Sequence, residues 1–137
     1  MGLILDTSLM IWAERKGLTV IETLGHWADL LGDTAPGLSV ATLAELAHGI
    51  PRALDERRRA GRVRFIEGLR SAIPIYPVDV EIAVRAGVID GELRGVGIAI
   101  GLGDALIAST ALIHGDGVAT HNVRHFRMIP GLRMIEV

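Results

Sequence analysis

The sequence predicts an α/β fold in which a mostly parallel sheet is covered by helices on both faces. Short apolar runs with turn residues nearby alternate along the chain with longer segments that have helical spacing, as in folds of this class. The chain has 137 residues, of which 50% are hydrophobic, so it can bury one substantial core but is too short for two ordinary domains. We therefore expect a single domain over residues 1–137.

The predicted strands are short apolar runs, and they cover residues 3–5, 38–40, 75–78, 117–119 and 134–137. The segments between them favour helices, most clearly where apolar residues recur every three or four positions. Predicted helices cover residues 9–13, 43–50, 63–73, 82–93 and 105–114. The break at residues 49–51 is expected to end the second of these helices, and Gly115 to end the last.

Polar side chains follow three of the predicted strands. Asp6 comes directly after the first strand, Asp79 after the third and Asn122 just after the fourth. In open parallel sheets, ligands bind outside the carboxyl ends of the strands, so these residues are candidates for a site. Asp116 precedes its strand and is expected at the opposite edge.

Each acidic candidate also has a purely structural interpretation. Asp6 could bind a cation beside the hydroxyl of Ser8, or it could cap the helix that follows. Asp104 precedes a helix, where capping is again the simpler role. Glu45 lies on the small, polar face of its helix, where a lone glutamate is usually only solvated. None of these acids is convincing alone.

Several other functions are disfavoured by the composition. The chain has no cysteine, which excludes disulfides, thiolate metal sites and a cysteine nucleophile. His48 forms a single Glu-x-x-His pair with Glu45, and His121 and His125 bracket Asn122 in a predicted loop, so a histidine metal site is not favoured. The glycines at residues 95–101 follow a helix, which argues against a dinucleotide site.

Charge also limits the nature of the partners. The formal net charge is −2, so contact with nucleic acid would depend on a local basic patch. The arginine run at residues 57–64 could approach phosphate, but it is better interpreted as a solvated helix face. The uncharged stretches are too short to span a bilayer, and we expect a cytoplasmic protein with no membrane partner.

Four segments, taken in order, resemble one known family. They are LDTS at residues 5–8, ATLAELAHGI at 41–50, GDALIASTA at 103–111, and ATHNVRHF at 119–126, with IPGL following at 129–132. Together they resemble the PIN domain of VapC-type toxins, which are ribonucleases of type II toxin–antitoxin systems. The resemblance covers essentially the whole chain and implies a three-layer α/β/α fold.

The resemblance implies specific roles for residues. Asp6, Glu45 and Asp104 match the family's three main metal-binding and catalytic acids, and Ser8 matches a supporting hydroxyl. Asn122 stands where many PIN nucleases have a fourth acid, so a second metal is expected to bind weakly. A cluster of carboxylates without soft ligands suits Mg²⁺ or Mn²⁺. The expected reaction is attack of water on an RNA phosphodiester, which leaves 5′-phosphate and 3′-hydroxyl ends.

The same resemblance implies partners. These are an RNA substrate such as tRNA, a second copy of the toxin, and a VapB-like antitoxin whose basic C-terminal segment fills the acidic site in a hetero-oligomer. Two other functions stay open. One is a catalytically silent PIN module that binds RNA or protein. The other is a phosphotransfer enzyme with Asp6 as nucleophile, which Ser8 disfavours because dehalogenase-type enzymes need an aspartate at that position.

Two expectations can be checked against a structure. We expect Asp6, Glu45 and Asp104 to converge in one acidic pocket. Because neighbouring carboxylates repel each other, at least one of them should have a raised pKa in the absence of metal.

Overall fold

The computed structural model describes residues 2–137. Its strands are β1 (Gly2–Leu5), β2 (Ala35–Ser39), β3 (Ile75–Tyr76), β4 (Gly117–Thr120) and β5 (Met134–Glu136). Its helices are α1 (Thr7–Arg15), α2 (Val20–His26), α3 (Ala28–Leu31), α4 (Val40–His48), α5 (Glu56–Ala72), α6 (Val80–Gly95), α7 (Leu102–His114) and α8 (Val123–Phe126). The predicted alternation of strands and helices is confirmed.

The five strands form one sheet in the order β3-β2-β1-β4-β5, and every neighbouring pair is parallel. The chain leaves β1 to build one half of the sheet through β2 and β3, and it returns on the other side of β1 as β4. A crevice forms at the carboxyl ends of the strands where the connections part in this way. The sheet therefore places its site beside the ends of β1 and β4.

Helices cover both faces of the sheet. Leu3 and Leu5 of β1 pack on one face, in a core that includes Leu9 of α1 and Leu69 of α5. Ile4 points to the other face, where the core belongs mainly to α6 and α7. This alternation follows from the two-residue period of a strand, and the predicted three-layer α/β/α architecture is confirmed.

Two predicted strands differ from the structure by two or more residues at one end, and the other three by a single residue. The predicted strand at residues 38–40 in fact begins at Ala35 and ends at Ser39, because Ser39 caps α4 by accepting a hydrogen bond from the Ala41 N–H at 3.1 Å. Pro36 obscured the start of this strand. Proline is tolerated there because β3 pairs only with Leu38 and Ser39, which leaves the first half of β2 at an edge. The predicted strand at residues 75–78 ends already at Tyr76.

Three short helices, α2, α3 and α8, were not predicted. For α2 a local signal exists, since Thr19 and Glu22 form a reciprocal capping box at its start. Helix α8 contains His125, so the prediction of a loop around this histidine was wrong. No helix within residues 2–137 is both long and apolar enough to cross a membrane.

The arginine run lies on α5 and is mostly a solvated face, as predicted. Arg57, Arg58 and Arg64 are exposed. Arg62 differs, since its guanidinium binds both carboxylate oxygens of Glu14, at 2.5 and 2.6 Å, and the carbonyl of Leu46 at 2.8 Å. It joins α5 to α1 and α4.

Candidate active site

Asp6 follows β1 and is almost fully buried, with 2% of its surface exposed. Its Oδ2 accepts hydrogen bonds from the hydroxyl of Ser8 at 2.7 Å and from the hydroxyl of Thr120 at 2.8 Å. The residue stands at the N-cap position of α1, but its side chain makes no capping hydrogen bond. The capping interpretation is therefore wrong, and hydroxyls from α1 and β4 orient this carboxylate instead.

Asp104 lies in the first turn of α7, two positions inside the helix start. Gly101 occupies the N-cap position with φ of 92°, so capping by Asp104 is also contradicted. Its Oδ2 lies 2.7 Å from Nδ1 of His125. The partial positive charge at the start of a helix favours an anion at this place.

Glu45 reaches the same region from α4. Its carboxylate lies against the backbone of Gly103, where an added Cβ would stand only 2.6 Å from Oε1. The residue before Asp104 must therefore be small for Glu45 to approach α7. This contact joins the helix after β2 to the helix before β4.

The three carboxyl groups affect one another electrostatically. Loss of water raises the pKa of Glu45, the charges of Asp104 and Asp6 raise it further, and a hydrogen bond from Thr7 partly opposes them. Loss of water also raises the pKa of Asp104, where the hydrogen bond from His125 opposes the charge of Asp6. The expected raised pKa is found for Glu45 and Asp104, with burial as its largest cause and the neighbouring carboxylates as a further one, so the three acids lie close enough to affect one another.

The donor atoms at this place suit a hard divalent cation, since they are carboxylate and hydroxyl oxygens. Within residues 2–137, however, no three aspartate, glutamate or histidine side chains are grouped so that they could hold a metal ion. Oxygen donors without a group of three such side chains are compatible with Mg²⁺, because this ion binds through one or two carboxylates and keeps several waters. The site fits such an ion if water completes its coordination.

Asn122 and His125 were considered in the sequence, but their mutual arrangement was not predicted. Nδ1 of His125 lies 3.1 Å from Nδ2 of Asn122 as well as 2.7 Å from Asp104. A carboxylate can only accept, so Nδ1 carries the hydrogen and donates it to Asp104. The same nitrogen cannot also accept from an amide, which favours the orientation of Asn122 that turns its oxygen toward His125.

Thr120 and His125 are the site residues that sequence analysis missed. Thr120 joins β4 to Asp6, and its hydroxyl oxygen also accepts from the Asn122 N–H at 2.7 Å. Hydroxyls and imidazoles of this kind orient carboxylate ligands in metal sites. The signal in the sequence was their place in the segment ATHNVRHF, around Asn122 and after an apolar strand.

The remaining candidates have structural roles. Asp79 caps α6 by accepting from the Ile82 N–H at 2.9 Å. Asp116 accepts from the Gly2 N–H at 2.8 Å, at the amino ends of β1 and β4, which is the opposite edge as predicted. Both acids are therefore separate from the cluster of Asp6, Glu45 and Asp104.

Comparison with known proteins agrees with this arrangement. A family model of the PIN domain matches residues 3–131. The protein named Ribonuclease VapC1 of Rickettsia felis is 35% identical over 137 residues, which cover 100% of this chain and 97% of that protein. The protein named tRNA(fMet)-specific endonuclease VapC of Salmonella typhimurium is 34% identical over 97 residues, 71% of each chain.

A solved structure shows the same fold. The structure of DNA-bound VapBC from Salmonella typhimurium superimposes with a TM-score of 0.80 at 29% identity, covering 99% of this chain and 98% of the other. The chain therefore belongs to the PIN-domain family and, within it, to the VapC ribonucleases.

Proposed function

We propose that this chain is a Mg²⁺- or Mn²⁺-dependent endoribonuclease that acts as the toxin of a VapBC-type toxin–antitoxin pair. The observation that carries the proposal is the convergence of Asp6, Glu45 and Asp104 at the carboxyl edge of the sheet. Two of these acids have raised pKa values, which is the state that a bound cation relieves. The single PIN domain over residues 1–137 supplies all three.

In this proposal Asp6 and Asp104 hold the cation, and Glu45 contacts it directly or through water. A bound divalent cation would supply a water of lowered pKa and offset the charge that develops on the phosphate. Ser8 and Thr120 keep Asp6 in place, while His125 does the same for Asp104. In this proposal a carboxylate such as that of Glu45, or bulk solvent, takes the proton of the attacking water.

Asn122 is proposed as an auxiliary ligand. Its amide oxygen can bind a hard cation but adds no negative charge, so a second metal is expected to bind weakly or only with substrate phosphate. We expect Asn122→Asp to tighten binding of Mg²⁺ or Mn²⁺ in calorimetry. Unchanged affinity would show that Asn122 does not face the metal.

The proposed location of the protein is the cytoplasm. The proposed substrate is tRNA or another structured RNA, cut where its bases are accessible. The support is the name of the Salmonella typhimurium relative, which describes an endonuclease specific for tRNA(fMet). Recognition of RNA sequence usually occurs in unpaired loops, because the grooves of an RNA duplex reveal little of it.

An antitoxin partner is supported by the surface. Ile21 is 78% exposed and Leu54 is 84% exposed, at a groove of about 1530 Å³ between α2 and α5. Exposed apolar surface of this kind marks protein interaction sites. We propose that a VapB-like antitoxin binds there and extends a basic C-terminal segment into the acidic site.

A homodimer is supported by α6. Val80, Val84 and Val88 are 80%, 62% and 50% exposed, and their four-residue spacing places them on one face of the helix. The opposite face of α6 is already buried in the core. We propose that the exposed valines meet their counterparts in a second copy, so Val84→Asp should convert a dimer to a monomer in light scattering.

The main experiment adds and removes metal during cleavage of a loop-containing RNA. Mg²⁺ or Mn²⁺ should support cleavage, EDTA should stop it, and excess Mg²⁺ should restore it. A catalytically silent PIN module would bind the same RNA without cutting it under any of these conditions. Cleavage that continues unchanged in EDTA would contradict the metal-dependent mechanism.

A further inference from the structure

Four aromatic and imidazole rings form a cluster that the mechanism above does not use. This ring cluster consists of Trp12 on α1, His26 and Trp27 at the end of α2, and His121 after β4. Ring centroids are 4.9 Å apart for Trp12 and His26, 5.2 Å for Trp12 and Trp27, and 6.0 Å for Trp27 and His121. The rings are tilted or edge-on to each other, which is the favourable geometry for such pairs.

The ring cluster is connected to the candidate active site by hydrogen bonds. The backbone N–H of His121 donates to the Ser8 hydroxyl at 3.3 Å, and that hydroxyl donates to Asp6 at 2.7 Å. His121 is also next to Asn122 in the sequence. A molecule whose phosphate lies at the carboxylates would therefore have its neighbouring groups near the rings.

The rings differ in their exposure. Trp27 is buried, with 7% of its surface exposed, and it supports the other three. Trp12 and His121 are partly exposed, while His26 is exposed. The ammonium of Lys16 lies 6.0 Å from the centre of the Trp12 ring. The part of the cluster open to solvent therefore consists of His26, parts of Trp12 and His121, and the positive charge of Lys16.

Rings and a lysine beside the carboxylates suit the binding of RNA by a nuclease. The carboxylates by themselves repel the phosphates of RNA, so neighbouring groups that attract the RNA add to the contribution of the proposed cation. Indole and imidazole rings stack on nucleic-acid bases, and a nearby lysine attracts a phosphate. Only an unpaired base exposes a free face, so such a surface selects single-stranded RNA over a duplex.

We propose that Trp12, His26 and His121 form a stacking surface for an unpaired base of the RNA, beside the phosphate that is cleaved, with Lys16 contacting a neighbouring phosphate. This inference rests on the proposed ribonuclease function and adds to it the part of the substrate that is recognised. The surface binds a base of any sequence, because every base has a π face. Its role is to favour loops and single strands.

The experiment measures binding of a short fluorescent oligoadenylate to the full chain carrying Asp104→Asn, which prevents cleavage. Added variants are His26→Ala, which removes an exposed ring, and Trp12→Leu, which keeps an apolar side chain at the core. Stacking of a base on one ring changes Kd by about 5-fold or more, so each variant should weaken binding by about that amount. An oligomer with abasic residues should bind all forms equally, because it has no base to stack.

The matched control is His114→Ala. His114 also packs against an aromatic ring, with 4.7 Å between its centroid and that of Tyr76, but it lies at the far end of α7 from Asp104. Its removal should leave Kd for oligoadenylate unchanged. If His26→Ala and Trp12→Leu bind oligoadenylate as tightly as this control, the rings are only structural and the proposal is overturned.

A second readout follows one ring of the cluster directly, by its fluorescence. The chain has two tryptophans, so Trp27→Phe leaves Trp12 as the single reporter. Its fluorescence should be quenched by oligoadenylate and not by the abasic oligomer. Equal quenching by both oligomers would overturn the proposal. A ring variant that binds RNA as before but no longer binds a protein partner would also overturn it.

Failure of this inference can be distinguished from failure of the proposed function. Without Asp104→Asn, the His26→Ala protein should cleave a loop-containing RNA with a raised KM and a nearly unchanged kcat, since the ring binds but does not react. If the parent chain cleaves RNA and the ring variants match it in both constants, only the stacking surface is refuted. If the parent chain cleaves no RNA with either metal, the ribonuclease function itself fails.

Discussion

Two pairs of aspartates stand at the starts of helices, and their carboxylates have different partners. Asp55 and Asp79 cap α5 and α6, and each accepts a hydrogen bond from a backbone N–H three residues later, at 2.8 and 2.9 Å. Asp6 and Asp104 stand at the starts of α1 and α7 without such caps. Side chains from β4 and α8 contact their oxygens instead.

The two pairs show how tertiary contacts can replace helix capping as the interaction that orients a carboxylate. In a cap, the helix backbone satisfies the carboxylate, and the interaction is local in the sequence. Asp6 and Asp104 are oriented by residues 114 and 21 positions away, and they face a third acid on α4. Neither carboxylate caps its helix, and each affects the pKa of another acid in the cluster.

The largest expected effect comes from removing one of these charges. Asp6→Asn and Asp104→Asn should each abolish RNA cleavage while the protein stays folded, because the amide has nearly the shape of the carboxylate but no charge for the metal. Asp79→Asn is the matched control and should retain cleavage. Initial rates on a loop-containing RNA measure this difference, and wild-type rates in both site variants would refute the assignment.

A smaller effect is expected at His125, which orients Asp104 without being a proposed ligand. His125→Ala leaves the Asp104 carboxylate without its partner, so Mg²⁺ affinity should fall by about 10-fold or more. Titration calorimetry measures this affinity, with His114→Ala as control. An unchanged affinity would mean that the hydrogen bond at 2.7 Å does not position the carboxylate for metal.

The raised pKa values predict how stability depends on pH without metal. Asp104 and Glu45 hold their protons more tightly in the folded chain than in the unfolded chain, so they favour folding at acidic pH. This contribution is lost as the pH rises through their raised pKa values. In EDTA, the Tm of the parent chain should fall over that range more than the Tm of Asp104→Asn. Parallel curves for the two proteins would contradict the raised pKa of Asp104.

The smallest effect is expected at a true cap. Asp79→Ala removes the hydrogen bond to the Ile82 N–H, and it should lower the free energy of unfolding by about 1 kcal/mol. Urea unfolding measures the loss, and the cleavage rate of the folded variant should be unchanged. A loss of cleavage without a loss of stability would place Asp79 in the site and remove the contrast between the two pairs.

Much of the fold and part of the candidate site could be predicted from local patterns. Apolar runs define strands because a buried strand needs a continuous apolar surface, and helical spacing defines the faces of α5 and α6. Asp6 and Asn122 could be placed at the carboxyl edge because they follow predicted strands. Glu45 and Asp104 were considered from their local sequence, but only the resemblance favoured a site role over solvation or capping.

Other features were decided by tertiary structure. A carboxylate before a helix is free to cap it, and only the packing of β4 and α8 against β1 and α7 showed that Asp6 and Asp104 bind Thr120 and His125 instead. The ring cluster likewise joins residues from α1, α2 and the end of β4. Local patterns in the sequence therefore define the order of the elements and the residue types at the sheet edge. The contacts that orient those residues depend on distant segments meeting, which no local pattern encodes.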